Sequence, residues 1–428
     1  MNLINKKSLN IGSSFYRWSM AVLMLILSQS VSAELKFSGF ATLAVTHSSH
    51  DEIRFRTALL NRTRSNWTVA SDSVIGGQIN YQYQDRIDFV AQVVIQDRGE
   101  TDALNYLEKA FMRVNIDRNW SVRVGRMSNN LYLLSEYRPV GYAQAWARPP
   151  IDFYSSSSVA AVLDGAEVSY STDIGGGYAK FSFAYGESTP ELGGDSESFS
   201  VDFTDLFSLS VEYQVDDWLV RAMYAKTRID NSELRSLGKF IQGLESIPNE
   251  AWPEAAEIAE GYRAEGKTGQ YYSVGFKFDN GEWQFQGEAA GFEAGWLQFP
   301  DARFAYFSIG YYIDEFLPFV VASSVRPKDP TPNFVPPILA SFYPDDLQDL
   351  VNLSASITNE SLVTNAVDQN SYSVGVRWDF APDWAFKAQF DHFRIQYPGS
   401  GLFGNNDPQL SRSPQQMNVV HLGLTTVF

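Results

Sequence analysis

Apolar and polar residues alternate along most of this chain. From Leu35 to Thr46, Leu35, Phe37, Gly39, Ala41, Leu43 and Val45 share one parity, while Lys36, Ser38, Thr42 and Thr46 share the other. A two-residue period over that length predicts a β-strand with one apolar and one polar face. The pattern returns in pairs broken by short turns: Ser73–Gln84 with Ile87–Ile95, Glu108–Ile116 with Trp120–Arg126, Gly165–Ser171 with Tyr178–Tyr185, and Phe207–Gln214 with Trp218–Lys226. Three more pairs follow, Tyr271–Phe278 with Trp283–Phe292, Phe304–Ile313 with Phe316–Val325, and Ser371–Phe380 with Trp384–Ile395, before a last strand at Met417–Phe428. Sixteen strands are predicted, joined by seven short and eight longer connections. Asp279-Asn280-Gly281 reads as a type I′ turn.

The polarity of these strands is the inverse of a soluble sheet. In the first pair Ile75, Ile79, Tyr81, Tyr83, Ile87, Phe89, Val93 and Ile95 lie on one side, and Gln78, Asn80, Gln82, Asp88, Gln92 and Gln96 on the other. Apolar outside and polar inside is the wall of a water-filled membrane barrel. No segment after the N-terminus is continuously apolar over the roughly 20 residues a spanning helix needs. An even strand number with both termini on the short-turn side lets the first and last strands pair, so that no backbone edge is left open in hydrocarbon. Trp120, Trp218, Trp283 and Trp384 each follow a turn, with Tyr83, Tyr213, Phe278 and Phe380 at the facing strand ends. Rings so placed predict an aromatic girdle at the headgroup level. The expected fold is all-β, a 16-stranded antiparallel transmembrane β-barrel.

One connection is out of proportion. Met127–Asp164 separates two strands by far more than a turn requires, and its residues are dense in Tyr, Trp, Leu and Pro. A long connection of that makeup is a packed, functional loop. It is expected to fold inward and narrow the lumen. Tyr132, Tyr137, Tyr142 and Trp146 would pack it on the wall, and Pro149-Pro150 would stiffen its return. Two other long loops, Ser232–Gly266 with a helix-forming run after Pro253 and Arg326–Gln369 with a helical signal at Asp345–Val351, read as external cover over the mouth. A ligand-binding cap is the sharper reading of both.

The N-terminus adds an address. Lys6, Lys7 and Arg17 precede an apolar core at Met20–Leu27 and an A-x-A-like site at Val31-Ser32-Ala33. This predicts a signal peptide over residues 1–33, cleaved near Ala33, and a barrel domain over residues 34–428. Removing three basic residues leaves a formal charge of 30 − 50 = −20. That balance excludes nucleic acid as a partner and suits a surface where acidic loops meet lipopolysaccharide through divalent cations. Cysteine is absent, which excludes disulfides and thiolate metal sites. The four histidines, His47, His50, His392 and His421, suggest no catalytic set or metal site, and Asp345, Asp346 and Asp349 lack a calcium-loop pattern. Neither an enzymatic activity nor a cofactor is expected.

Charge on the polar faces supplies the candidate chemistry. Lys109, Arg113, Arg123 and Arg126 are assigned to the inward faces of the fourth and fifth strands, and Arg221, Lys277, Arg377 and Lys387 extend the basic character around the wall. Glu136 and Asp152 of the long loop are expected to oppose Arg113, Arg123 and Arg126 across the gap, with Arg148 also at the constriction. Opposed charge across a narrow, low-dielectric gap orders water and selects among solutes.

Several motifs resemble the general porins of the Gram-negative outer membrane. Leu35–Phe40 is similar to the porin opening strand, Val124-Gly125-Arg126 ends the fifth strand as a Gly-Arg does before the porin constriction loop, and Val420, Leu422, Leu424, Thr426 and Phe428 alternate to a terminal Phe like an outer-membrane assembly signal. The long loop departs from the enteric pattern, lacking its acidic cluster and carrying Tyr137–Tyr142, Trp146 and Arg148-Pro149-Pro150 instead. The resemblance implies a channel in the outer membrane for passive diffusion of small hydrophilic solutes. It also implies an inward-folded third long loop and a homotrimer in which the loop His47–Asp72 reaches toward a neighbour. The alternative is a plugged barrel acting through its long loops as a surface adhesin or receptor.

Overall fold

A computed structural model describes residues 33–98, 103–157, 159–193, 198–232, 235–405 and 408–428. The signal peptide expected over residues 1–33 lies, apart from Ala33, outside the described residues. Sixteen long strands occur among them: β1 (Ala33–Ser48), β2 (Val74–Tyr83), β3 (Ile87–Gln96), β4 (Leu107–Asn115), β5 (Trp120–Ser128), β6 (Val162–Ile174), β7 (Gly177–Ser188) and β8 (Ser198–Val215). The second half comprises β9 (Trp218–Ser232), β10 (Lys267–Asp279), β11 (Trp283–Glu293), β12 (Ala302–Tyr311), β13 (Phe316–Pro327), β14 (Gln369–Ala381), β15 (Trp384–Ile395) and β16 (Gln415–Val427).

Each strand pairs antiparallel with the next, and the sheet closes on itself. β1 pairs with β2 from Ala33↔Tyr83 to Thr42↔Val74, and with β16 from Phe40↔Val427 to Ser48↔Val419. Closure removes the free edge and satisfies every ladder internally. At the seam Gly39 and Phe428 exchange both backbone hydrogen bonds, at 2.6 and 2.9 Å. The Phe428 ring lies over Gly39, where a Cβ would come within 2.4 Å of it. A side chain at residue 39 would therefore displace the terminal ring.

The alternation places the apolar residues outside. Phe37, Leu43, Ile75, Val93, Leu209, Val274 and Val320 are all exposed. Such a surface is stable against lipid rather than water. Trp120, Trp218, Trp283 and Trp384 sit at the turn ends, and Trp120 packs on Tyr170 and Trp218 on Phe278, with centroids 4.8 and 4.7 Å apart. The short turns use left-handed residues: Gly175 and Gly176, at φ 61° and 82°, make a two-residue turn between β6 and β7. The Asp279-Asn280-Gly281 turn differs from the type I′ expectation, since only Gly281 has positive φ. Asn280 holds it instead, its Oδ1 accepting from the Glu282 and Trp283 amides.

Several strands are longer than their alternation predicts. β8 starts at Ser198 rather than Phe207, because register shifts near Phe203 and Leu206 break the two-residue period. The long loops carry helices: α1 (Ile151–Ser157), α2 (Arg235–Glu245), α3 (Glu254–Tyr262) and α4 (Asp345–Asn365). The last three share a buried core through Leu244, Trp252, Ile258, Tyr262, Val351 and Ala355. Trp296, in the connection between β11 and β12, donates to the Tyr262 carbonyl at 2.9 Å and ties this core to the barrel rim. Among the described residues no helix is long and apolar enough to cross a membrane.

The loop between β1 and β2 packs in part on its own barrel. Ile53 and Phe55 are buried in this chain's own core, and Arg56 Nε donates to the Leu402 carbonyl at 2.7 Å. Trp67 and Val69 of the same loop stay exposed.

Candidate functional site

The connection between β5 and β6, residues 129–161, leaves the wall at a crease. Gly125 pairs with Gly165, and Gly165 with Gly186, so three adjacent strands carry glycine in register. A Cβ at Gly165 would lie 2.2 Å from the Tyr185 carbonyl oxygen, and one at Gly186 2.3 Å from that of Asp164. Backbones this close admit no side chain. Beyond the crease, Met127 and Leu163 are fully buried.

The loop's bonds then fall on the polar faces of strand after strand. Glu136 bonds Lys109 of β4 at 3.1 Å and Arg123 of β5 at 2.8 Å, and Asn130 donates to Glu167 of β6 at 3.2 Å. Arg221 of β9 donates to the carbonyls of Tyr132 and Asn130 at 3.1 and 3.0 Å, and Ser273 of β10 to that of Leu131 at 2.8 Å. The Leu133 amide donates to Glu288 of β11 at 2.7 Å, and the Tyr154 hydroxyl also donates to Glu288. Trp146 Nε1 donates to Ser308 of β12 at 2.8 Å. Further round, Arg377 of β14 donates to the carbonyls of Tyr142 and Gln144, and Lys387 of β15 to those of Gly141, Gln144 and Trp146. Gly141 ends beside Thr42 of β1 and Thr425 of β16.

The basic residues thus act differently from the expectation. Arg221, Arg377 and Lys387 hold loop carbonyls rather than facing open water, because the loop's exposed backbone acceptors need donors once water is displaced. Arg123 is 5% exposed and forks onto Glu167 at 3.0 and 2.7 Å while also bonding Glu136. Arg113 pairs in register with Arg123, but its side chain is 39% exposed and its ion partner, Asp88 of β3, is 3.8 Å away. Arg113 is therefore the one of the pair that meets water.

Three expected positions need correction. Arg126 bonds Asp164 at 2.8 and 2.6 Å, not Glu136 or Asp152. It lines a pocket with Asp164 and with Arg138 of the loop, just past Gly125, whose φ of 126° breaks the strand's regular alternation. Asp152, in the first turn of α1, lies against β13 and β14 and opposes none of Arg113, Arg123 and Arg126: Ser323 and Ser371 donate to it at 2.6 and 2.7 Å, as does Gln369. Glu136 is in contact with Arg123 rather than across a gap from it. Arg148 is buried between Asp72, at 3.1 Å, and Asp391 of β15, with the Phe55 ring 4.6 Å from its guanidinium carbon. Sequence reasoning missed the acidic wall residues Glu167, Glu288 and Asp391. Each shares the parity of a polar neighbour two positions away, Ser169, Gln286 and Gln389, and that was the available signal.

The loop's two carboxyls respond oppositely to pH. Burial works to raise Glu136, but Arg123 and Lys109 outweigh it and hold the group at about 2. Its contribution is present above the unfolded value of 4.5 and is lost as pH falls through about 2. Burial dominates at Asp152 and raises it above 3.8, despite three donors. Its contribution is full below 3.8 and declines as pH rises through the raised folded value. Acid is therefore expected to release the Glu136 end and keep the Asp152 end seated. Limited proteolysis of reconstituted protein from pH 7 to 2 should show cleavage near residue 136 appearing only in acid, and Glu136→Gln should show it throughout.

The chain shares its fold with solved outer-membrane barrels. The outer membrane channel DcaP of Acinetobacter baumannii aligns with a TM-score of 0.52 at 12% identity, covering 92% of this chain and 97% of that one. An anion-selective porin from Comamonas acidovorans gives 0.49 at 10% identity, covering 93% and 100%. The trimer form of OmpT from Vibrio cholerae gives 0.49 at 13%, covering 92% and 99%. No protein-family model matches the chain, and no curated protein matches it.

Proposed function

We propose that the chain is an outer-membrane channel for small hydrophilic solutes and that the loop 129–161 is its constriction. The observation that carries this is the placement of the loop's bonds. They tie it to polar faces from β4 to β6 and from β9 to β15, which a loop lying outside a closed wall cannot reach. A bare sixteen-stranded barrel encloses an aqueous channel, so a segment crossing it sets the free cross-section.

The passage is assigned to the wall of β2 to β4. There Gln78, Asn80 and Gln92 bond one another, at 2.9 and 3.1 Å, and Arg113 keeps an exposed charge beside half-buried Asp88. A ladder of amides and one loose ion pair is a surface that hydrated solutes can slide along. Export through the signal peptide, with cleavage near Ala33, and assembly as a homotrimer belong to the same reading. A monodisperse monomer in mild detergent would remove the trimer from it.

Reconstitution tests the channel directly. The purified barrel in a planar bilayer should give discrete ohmic steps, and liposomes carrying it should swell in small sugars. Folded, inserted protein with neither property would establish the plugged receptor instead. Arg113→Gln should raise the cation-to-anion permeability ratio roughly twofold, read from the reversal potential, because a lumen charge tunes selectivity without changing the lipid face.

A further inference from the structure

The loop side of the barrel holds a cavity of about 400 Å³ that the passage of hydrophilic solutes does not explain. Its walls come from separated segments: Leu59 of the first long loop, Leu131 of the constricting loop, Phe203 of β8, Phe299 and Phe304 at either end of the approach to β12, and Leu402 of the last loop. The convergence of so many apolar side chains is unexpected where loops meet water, and water inside finds few partners. An apolar void of roughly 150 Å³ already takes one benzene, and ligand pockets span roughly 300 to 1,000 Å³.

We propose that this chamber binds an uncharged, largely apolar organic molecule of two or three rings. The charged residues of the lining, Arg56, Lys226 and Asp301, do not ask for an ionic ligand: Lys226 is exposed on the parity of Ala222, opposite that of inward Arg221, and the other two are bonded. Arg56 Nε is bonded to the Leu402 carbonyl at 2.7 Å, and the Asp301 carboxylate accepts from the Ala294 and Gly295 amides at 2.8 and 3.0 Å. Because Leu131 belongs to the constricting loop, a bound molecule rests on that loop. The binding stands on the cavity alone; only the route of delivery rests on the channel reading.

The test uses the full barrel in lipid nanodiscs, titrated with the neutral fluorophore N-phenyl-1-naphthylamine against empty nanodiscs. The expected result is one saturable site per chain. Leu59→Ser and Phe299→Ser, made separately on different loops, should each weaken it about tenfold or more while circular dichroism shows an intact barrel. An anionic analogue, 8-anilino-1-naphthalenesulfonate, should bind at least about tenfold more weakly. Unchanged affinity in both variants, or equal affinity for the anion, would overturn the proposal. A barrel that conducts but binds no probe overturns the chamber and leaves the channel reading intact. One that binds the probe but does not conduct overturns the channel reading alone.

Discussion

Deleting Tyr137–Ala147 will raise single-channel conductance several-fold. This segment carries the carbonyls of Tyr142, Gly141, Gln144 and Trp146, which Arg377 and Lys387 hold on β14 and β15. It also carries the Trp146 indole bonded to Ser308 of β12. Without it the loop loses these contacts and keeps only the shorter return through Arg148 and Asp152, so the lumen widens toward the open bore of a sixteen-stranded barrel. The deletion leaves the strand ladders untouched, so the barrel should still insert and run heat-modified on gels. Planar-bilayer recording provides the measurement. Unchanged conductance in an inserted deletion variant would mean that these residues lie off the path.

Arg148→Ala should be the most damaging single substitution in the loop, at about 3–5 kcal/mol of unfolding free energy. Arg148 lies between Asp72 and Asp391, both of which are nearly inaccessible to water. Burial works to raise Asp72, but Arg148 and His421 overcome it and hold the carboxyl well below its usual range. Removing the guanidinium leaves two carboxylates buried without their cation. Arg148→Lys should rescue little, since one ammonium cannot fork between two partners. The pH dependence checks the cause. In the wild type the Asp72 contribution is present above its unfolded value of 3.8 and is lost only at lower pH. In Arg148→Ala that depression is lost, so the variant's stability deficit should shrink as acid neutralises Asp72. Denaturant midpoints in vesicles between pH 3 and 7 measure this.

The architecture was legible because a membrane wall writes its two faces into the chain at every second residue. Strand number, turn positions and the tryptophans after the turns all follow from that period. It failed where the backbone departs from a flat strand. The register shifts of β8 near Phe203 and Leu206 hid the outer part of that strand. The loop was visible as a compositional anomaly, but its partners were not. Nothing local says that Lys387 serves the carbonyl of Gly141, or Glu288 the amide of Leu133; those pairs are made by closing the barrel. Asp152 was misplaced for the same reason. A carboxylate beside Pro149-Pro150 reads as a charge facing basic residues, whereas the fold carries it to the hydroxyls of Ser323 and Ser371.

A disulfide tests most directly whether the loop crosses the lumen. The chain has no cysteine, so an introduced pair has no competitor. A Cβ built at Gly141 lies 3.9 Å from Thr42 Cβ, on the wall where β1 meets β16. That approach suits a disulfide, whose Cβ atoms lie roughly 3.5–4.5 Å apart. Gly141→Cys combined with Thr42→Cys should cross-link nearly completely under mild oxidation of the inserted barrel, with a loss of free thiols and a gel shift reversed by reductant. Two thiols that stay free in a folded, heat-modifiable barrel would contradict the account, because a loop lying outside the lumen never brings these residues together.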